Sequence, residues 1–538
     1  MPVSKNYKGE LTLTLDNKEF VFHPRTETSQ IVDLDTYLSS WFAVLPGVKA
    51  RMDPYAEYDG GVTGDPTSLK DYIKLAYPDV YTSLEKITKE DIFFLTDGVT
   101  DMSGLFSGCT SLTEVDTSAI DTSNVTTFSE MFKDCPELIS LIVSHWNTGK
   151  VTDISDMFNG DAAITTLDIG NWDTSAVTKA ERTFKDCVAL ENLDLSKWDT
   201  SALKQTSGMF MNCTSLTTIG DISNWDLSNL ESCASMFNNC QSLTTIGDTS
   251  NWDLSKVQNC ASMFAGTPNL DQDLDLHTLK TPNTSMLNNC GNGQHTLNLS
   301  GIDFTKMAGY TSVGTPKFNT INLSNTKFGT AHKVCFADIV KYATNVNLTG
   351  CTLLMSNFEY LFNSSSVEAI TGLTTVNWFS NATQTDLMFN NCRKLTSVDL
   401  STLDMSNVTN TTQMFCNCNQ LTNVILPTSM PNVTNAHGMF YNCNSLTSVN
   451  LSGFDTSKVT NFGSLFELCT YLEDYGNFAF DLSSITAVQS VAHMLSRCNA
   501  LTTVKFKNVP SSVFADKAAL RTAASIPDGC NVVIENFI

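Results

Sequence analysis

Along most of the chain the apolar positions recur on a long period rather than a short one. Phe stands at Phe106, Phe132, Phe158, Phe184 and Phe210 in steps of 26, then at Phe237 and Phe264 in steps of 27. It returns at Phe362, Phe389, Phe415, Phe440 and Phe466 in steps of 25 to 27. Three residues after most of these comes Cys, and three after that Leu or Ile. Within a copy, Leu190-x-x-Leu193-x-Leu195 alternates as a short strand does, with Asp194 pointing outward. Trp198-Asp199-Thr200-Ser201 follows as a turn rich in side chains that cap helix starts. Val151, Ile154, Met157 and Phe158 fall at i, i+3, i+6 and i+7, a spacing that predicts one face of a short helix. Such a unit cannot cover its strand edge and helix stripe alone, so neighbouring copies must stack. The pattern predicts an α/β solenoid, a leucine-rich-repeat-like coil of about 17 turns with a period of about 26 residues. Its repeat core is Phe132, Phe158, Phe184, Phe210 and Phe237, with Cys135, Cys187, Cys213 and Cys240, and Trp146, Trp172, Trp198, Trp225 and Trp252.

The repeat also divides the chain. Residues 1–95 stand outside it and read as a small α/β docking or capping module. There Leu11–Leu15 and Phe20–Phe22 predict a hairpin turning at Asp16-Asn17, and Asp35–Val44 and Ser68–Tyr77 predict helices. Residues 96–270 hold regular repeats marked by the Trp column, and residues 271–385 hold degenerate ones. In the latter, Leu297-x-Leu299, Ile321-x-Leu323 and Val346-x-Leu348 still recur 24 and 25 apart, which predicts that the coils continue. Regular repeats resume over 386–510, and 511–538 is expected to cap the end.

The sentence running from MF through C and LDLS to WDTS and VT resembles the BspA-like leucine-rich repeat, also known as the mycoplasma lipoprotein-associated repeat family. It covers 100–270 and 385–472 closely, and 271–384 and 473–506 loosely. The resemblance implies a solenoid and a surface adhesin that binds host proteins or other cells; related repeats occur in bacteriophage proteins. It brings no catalytic residues.

Composition adds constraints. The formal net charge is −24 and only 16% of residues are charged, with no basic stripe, which argues against nucleic acid or anionic lipid as partners. No run approaches the length of a membrane helix, and the first 20 residues show no apolar stretch of a secretory signal. Seventeen cysteines would suggest disulfides in a secreted chain, but Cys109, Cys135, Cys187, Cys213, Cys240, Cys290, Cys392, Cys418, Cys443, Cys469 and Cys498 share one repeat column. Asp161 and Thr267 replace Cys in that column without disturbing the period, so buried free thiols are expected. Cys416 and Cys418 are too close for the usual zinc spacing.

Candidate chemistry is sparse. The seven histidines share no repeat position, and no nucleophile elbow, Walker loop, zinc-protease or EF-hand motif occurs. Aspartates form two rows: Asp168, Asp194, Asp275 and Asp399 in the strands, and Asp173, Asp199, Asp226, Asp253, Asp404 and Asp455 after the Trp position. Rows of carboxylates can bind calcium, but capping of helices by the second row and solvation of the first is the reading preferred. No catalytic, cofactor or metal site is expected. The expected function is a non-enzymatic binding or attachment protein made in a host cytosol and built into a bacteriophage virion as a fibre, tail or decoration protein. In that reading residues 1–95 dock to a larger assembly, and the solenoid meets a surface protein or glycan. A bacterial or protist cell-surface adhesin is the alternative.

Overall fold

The computed structural model describes the strands Ser4–Lys5, Leu11–Leu15 and Lys18–Phe22, residues 85–87, and residues 100–538 other than 119, 310 and 379–381. The predicted hairpin is present: Leu11–Leu15 pairs antiparallel with Lys18–Phe22, from Leu11 opposite Phe22 to Leu15 opposite Lys18. The helices expected at Asp35–Val44 and Ser68–Tyr77 lie outside the described residues. The repeats form a β-solenoid of about 17 turns with little helix, divided into two compact units, Met1–Gln272 and Asp273–Ile538.

In the first unit each coil carries two parallel contacts with the next. One side runs through bridges from Asp101 to Thr127, Asp153, Lys179, Gln205, Ser232 and Asn259. The other joins Lys86–Ile87, Glu114–Asp116 and Ser140–Ile142 in parallel, then Thr166, Asn192, Thr218 and Thr245. The second unit repeats this scheme with longer strands. Leu274–Asp275, Thr296–Asn298, Thr320–Asn322, Asn345–Asn347 and Ala369–Thr371 make one five-stranded parallel sheet. Leu297, Ile321 and Val346 are its buried centres, each paired in register. The strand Asn531–Ile534 pairs with Thr503–Lys507, so the last segment adds a rung of sheet as well as a helix, Lys517–Ala523.

The helical arm predicted in every repeat is corrected by the structure. Among the described residues the α-helices are Lys333–Val340 and Lys517–Ala523; the stretch from Val151 to Phe158 passes through the bridge at Asp153 into overlapping turns. Its N–H groups alternate. Ile154, Asp156, Phe158 and Gly160 donate to Lys179, Glu181, Thr183 and Lys185 of the next coil at 3.0, 2.7, 2.8 and 2.8 Å. Met157, Asn159 and Asp161 close turns onto Ile154, Asp156 and Phe158. The alternation requires left-handed backbone twice per coil, at Asp156 (φ 56°) and Gly160 (φ 90°) here and at Arg182 and Asp186 in the next coil. The second of these positions is filled by Asp134, Gly160, Asp186, Asn212, Asn239 and Gly266 in turn, the residue types that reach this region most cheaply. Spacing explains why turns displace helix: strands stack about 4.8 Å apart, whereas helices pack about 8–10 Å apart. Only a strand-like conformation lets both sides of a coil advance by the same step.

The apolar interior is built by like residues stacking on like. Phe132, Phe158, Phe184, Phe210 and Phe237 are fully buried, with successive ring centroids 5.8, 5.6, 5.4 and 5.4 Å apart. In the second unit Phe362, Phe389, Phe415, Phe440 and Phe466 stack at 5.0 to 5.4 Å. Phe184→Ala is therefore expected to cost about 3–5 kcal/mol. Hydrogen exchange should show lost protection confined to the coils on either side of Phe184; an even loss over every coil would contradict nearest-neighbour stabilisation.

Candidate interaction surface

The polar residues of the repeat divide into those that tie one coil to another and those that face outward. Cysteines belong to the first group. The thiols of Cys135, Cys187, Cys213 and Cys240 donate to the carbonyls of Phe106, Phe158, Phe184 and Phe210 in the preceding coil, at 3.0, 3.0, 2.9 and 3.0 Å. Cys392, Cys418, Cys443, Cys469 and Cys498 do the same for Phe362, Phe389, Phe415, Phe440 and Phe466. A small apolar side chain with one weak donor thus adds a bond between coils to a buried carbonyl that already closes a turn within its own coil, as Phe158 does with the Asp161 N–H. All 17 cysteines are free and buried. Burial pushes the thiols up, to about 12 for Cys335 and about 11 for Cys351 and Cys392, away from the reactive thiolate.

The two exceptions in the column make different contacts. Thr267 turns its hydroxyl onto the Phe264 carbonyl at 2.8 Å. Asp161 is fully buried; its Oδ1 accepts the Cys135 N–H at 2.9 Å and its Oδ2 has no partner. Burial holds the Asp161 carboxyl well above the usual carboxylate range.

The indoles are ties of the same kind. Trp172, Trp198, Trp225 and Trp252 are buried and donate Nε1–H to the carbonyls of Val143, Ile169, Leu195 and Ile222 at 3.1 to 3.4 Å. Trp146 is buried too and donates to Thr117 Oγ1 at 2.9 Å.

Both aspartate rows close turns, which corrects the expectation of helix caps. Asp173, Asp199, Asp226, Asp253, Asp404 and Asp455 accept the N–H of the serine two residues on, at 2.9 to 3.1 Å. Three of the four in the strand row do likewise: Asp194 accepts from Ser196, Asp399 from Ser401 and Asp275 from His277. Hydrogen bonds from the Ser201 and Ser196 hydroxyls hold the carboxyls of Asp199 and Asp194 below their ordinary range. Among the described residues no three His, Cys, Asp or Glu side chains converge as a metal site.

Outward-facing ladders, which sequence reasoning missed, complete the surface. Thr126, Thr152 and Thr178 each donate to the carbonyl at the same position one coil back. Asn322 donates its amide to Asn298 Oδ1 at 3.0 Å and Asn347 donates to Asn322 Oδ1 at 3.1 Å. The signal was available: each Asn directly follows Leu297, Ile321 or Val346, at the same spacing of 24 and 25.

A family model described as Mycoplasma protein of unknown function, DUF285, matches residues 100–218, 140–245, 188–299 and 383–506, together more than half of the chain. No curated protein matches it. Among solved structures, a leucine-rich cell surface protein from Faecalibacterium prausnitzii A2-165 is 16% identical, with a TM-score of 0.30, covering 66% of this chain and 87% of its own. A leucine-rich repeat protein from Eubacterium ventriosum ATCC 27560 is 14% identical, with a TM-score of 0.22 and coverage of 71% and 83%. One from Bacteroides thetaiotaomicron VPI-5482 is 11% identical, with a TM-score of 0.23 and coverage of 74% and 44%.

Alkylation under denaturing, non-reducing conditions should count 17 thiols; several disulfides within the column would refute the tie described here. Asp161 gives a pH dependence with a definite sign. Its carboxyl is raised in the folded chain, so its stabilising form is fully present below the unfolded carboxylate pKa and is lost as pH rises through the folded value. Asp161→Asn is expected to raise stability at neutral pH by about 1–3 kcal/mol and to flatten the loss above about pH 4. Denaturant melts at several pH values test it, and parallel curves for the two proteins would rule it out.

Proposed function

The chain belongs to the family of Mycoplasma proteins of unknown function designated DUF285, and from that footing we propose that it is a non-enzymatic attachment protein whose solenoid presents its outer strand faces to a protein or glycan on another surface. One observation carries this reading. The thiols, indoles and turn-capping carboxylates of the repeat are engaged in holding coils or closing turns, while the outward strand positions recur from rung to rung as a regular polar face. A surface of that kind is suited to broad, repetitive contact.

The bacteriophage part of the sequence reading finds no support in the comparisons. The family description places relatives in a cellular organism, which favours display at a cell surface. No helix among the described residues is long and apolar enough to cross a membrane. Residues 1–95, which stand outside the repeat, are proposed to dock the solenoid to a carrier.

Two measurements follow. Antibodies against the full chain should label intact, unpermeabilised cells that express it, and labelling confined to permeabilised cells would overturn surface display. A chain beginning at Thr96 should keep the protection of its regular coils but fail to co-sediment with the envelope. Equal recovery of the truncated and full-length chains would leave residues 1–95 no anchoring role.

A further inference from the structure

The second unit carries a face on which hydrogen-bond acceptors are filled and donors are not. Asn298 Oδ1 accepts from Ser300 N and from Asn322, both within 3.1 Å. Asn322 Oδ1 accepts from Ser324 N and Asn347. Asn347 Oδ1 accepts from Thr349 N and Oγ1. Each amide nitrogen makes one bond, Asn298 to Asp275 Oδ2 at 2.9 Å and the other two down the ladder. An amide nitrogen has two donors, so each rung keeps one N–H without an acceptor in the protein. Three such donors stand in register, about 4.8 Å apart.

Next to this row the chain places an aromatic ring with two cations near it. Tyr342 is 42% exposed. The Nζ of Lys317 lies 6.0 Å and that of Lys341 5.6 Å from its ring centroid. Lys317 and Tyr342 each come three residues before a strand of the face, Thr320–Asn322 and Asn345–Asn347. From Tyr342 to Asn347 the extended chain reaches about 16 Å. Four of the sheet's five strands, Thr296–Asn298, Thr320–Asn322, Asn345–Asn347 and Ala369–Thr371, contain no acidic residue in a chain whose net charge is −24; the first, Leu274–Asp275, carries Asp275 at the far edge from Tyr342, where it accepts from Asn298. Glu368, at the edge of the face, is paired with Lys394 at 2.9 Å.

We propose that this face, with Lys317, Lys341 and Tyr342 at its margin and the Asn298, Asn322 and Asn347 amides across it, binds an acidic polysaccharide. Spare donors select a ligand rich in acceptor oxygens, and the lysines select one whose oxygens carry charge. The ring offers a surface on which a sugar can stack. Other polyanions fit less well. A nucleic acid draws its affinity from many phosphate contacts, and an acidic peptide would want apolar pockets, whereas Leu297, Ile321 and Val346 are sealed beneath the strands.

The proposal rests on the attachment reading and names its ligand class. Surface plasmon resonance on the full chain tests it with heparin as the sulfated probe, polygalacturonate as the carboxylated one, and dextran and poly-L-glutamate as controls. Binding of heparin or polygalacturonate that weakens with salt is expected, and which of the two binds identifies the anionic group. It should fall by about tenfold or more in Lys317→Gln/Lys341→Gln and in Tyr342→Ala, and be unchanged in Lys197→Gln. No binding of either acidic polysaccharide, equal binding of dextran, equally tight binding of poly-L-glutamate, or unaffected variants would each overturn it. Cells that still bind the chain coated on beads, with the double lysine variant as good as the parent, would remove this site and leave the attachment reading standing. Beads that bind no cells would remove that reading.

Discussion

Everything in this fold depends on one step length. Parallel coils joined by backbone hydrogen bonds advance by about 4.8 Å, and a repeat that holds this step on both sides must place an identical residue above its own predecessor. Phe184 on Phe158 and Phe210 on Phe184 are the direct result. So is the cysteine column, because a carbonyl that recurs in the interior of every coil can accept a thiol from each following coil. Asp161 keeps the period with different chemistry: its carboxyl is fully buried in the same column, with one oxygen on the Cys135 N–H and the other unpartnered.

The same constraint shapes the outer face. A side chain that points outward in one rung finds a copy of itself directly above and below, so like charges are a liability and hydrogen-bonding pairs are an asset. Asn can donate to and accept from its own kind, and the ladder of Asn298, Asn322 and Asn347 uses that capacity. Asp needs a different arrangement, and its carboxylates are turned onto local backbone N–H groups instead. Because each amide donates one N–H down the ladder and has two, the ladder leaves a surplus of donors, which is how a repetitive structural device becomes a recognition surface.

Much of this was legible in the residues. The Phe, Cys and Trp columns announced a solenoid, its register and its number of coils, because periodicity is carried by side chains that must be buried alike in every copy. The cysteines read as buried thiols for a sound reason, since Asp161 and Thr267 could stand in for them. The amide ladder lay in view at Leu297-Asn298, Ile321-Asn322 and Val346-Asn347, but spacing alone does not say which way a side-chain amide points or which of its atoms are already engaged.

The sequence by itself determined that neighbouring copies stack and which residues meet when they do. Only the tertiary structure decided the conformation between the strands. Val151, Ile154, Met157 and Phe158 have helical spacing, yet every second backbone N–H there belongs to the adjacent coil. Helix and overlapping turns bury the same apolar positions, so the pattern cannot separate them. What separates them is the distance to the next coil: about 4.8 Å favours a strand-like partner in successive coils, and among the described residues a helix about 10 Å across enters only singly, at Lys333–Val340 and Lys517–Ala523; that distance exists only once the coils are stacked.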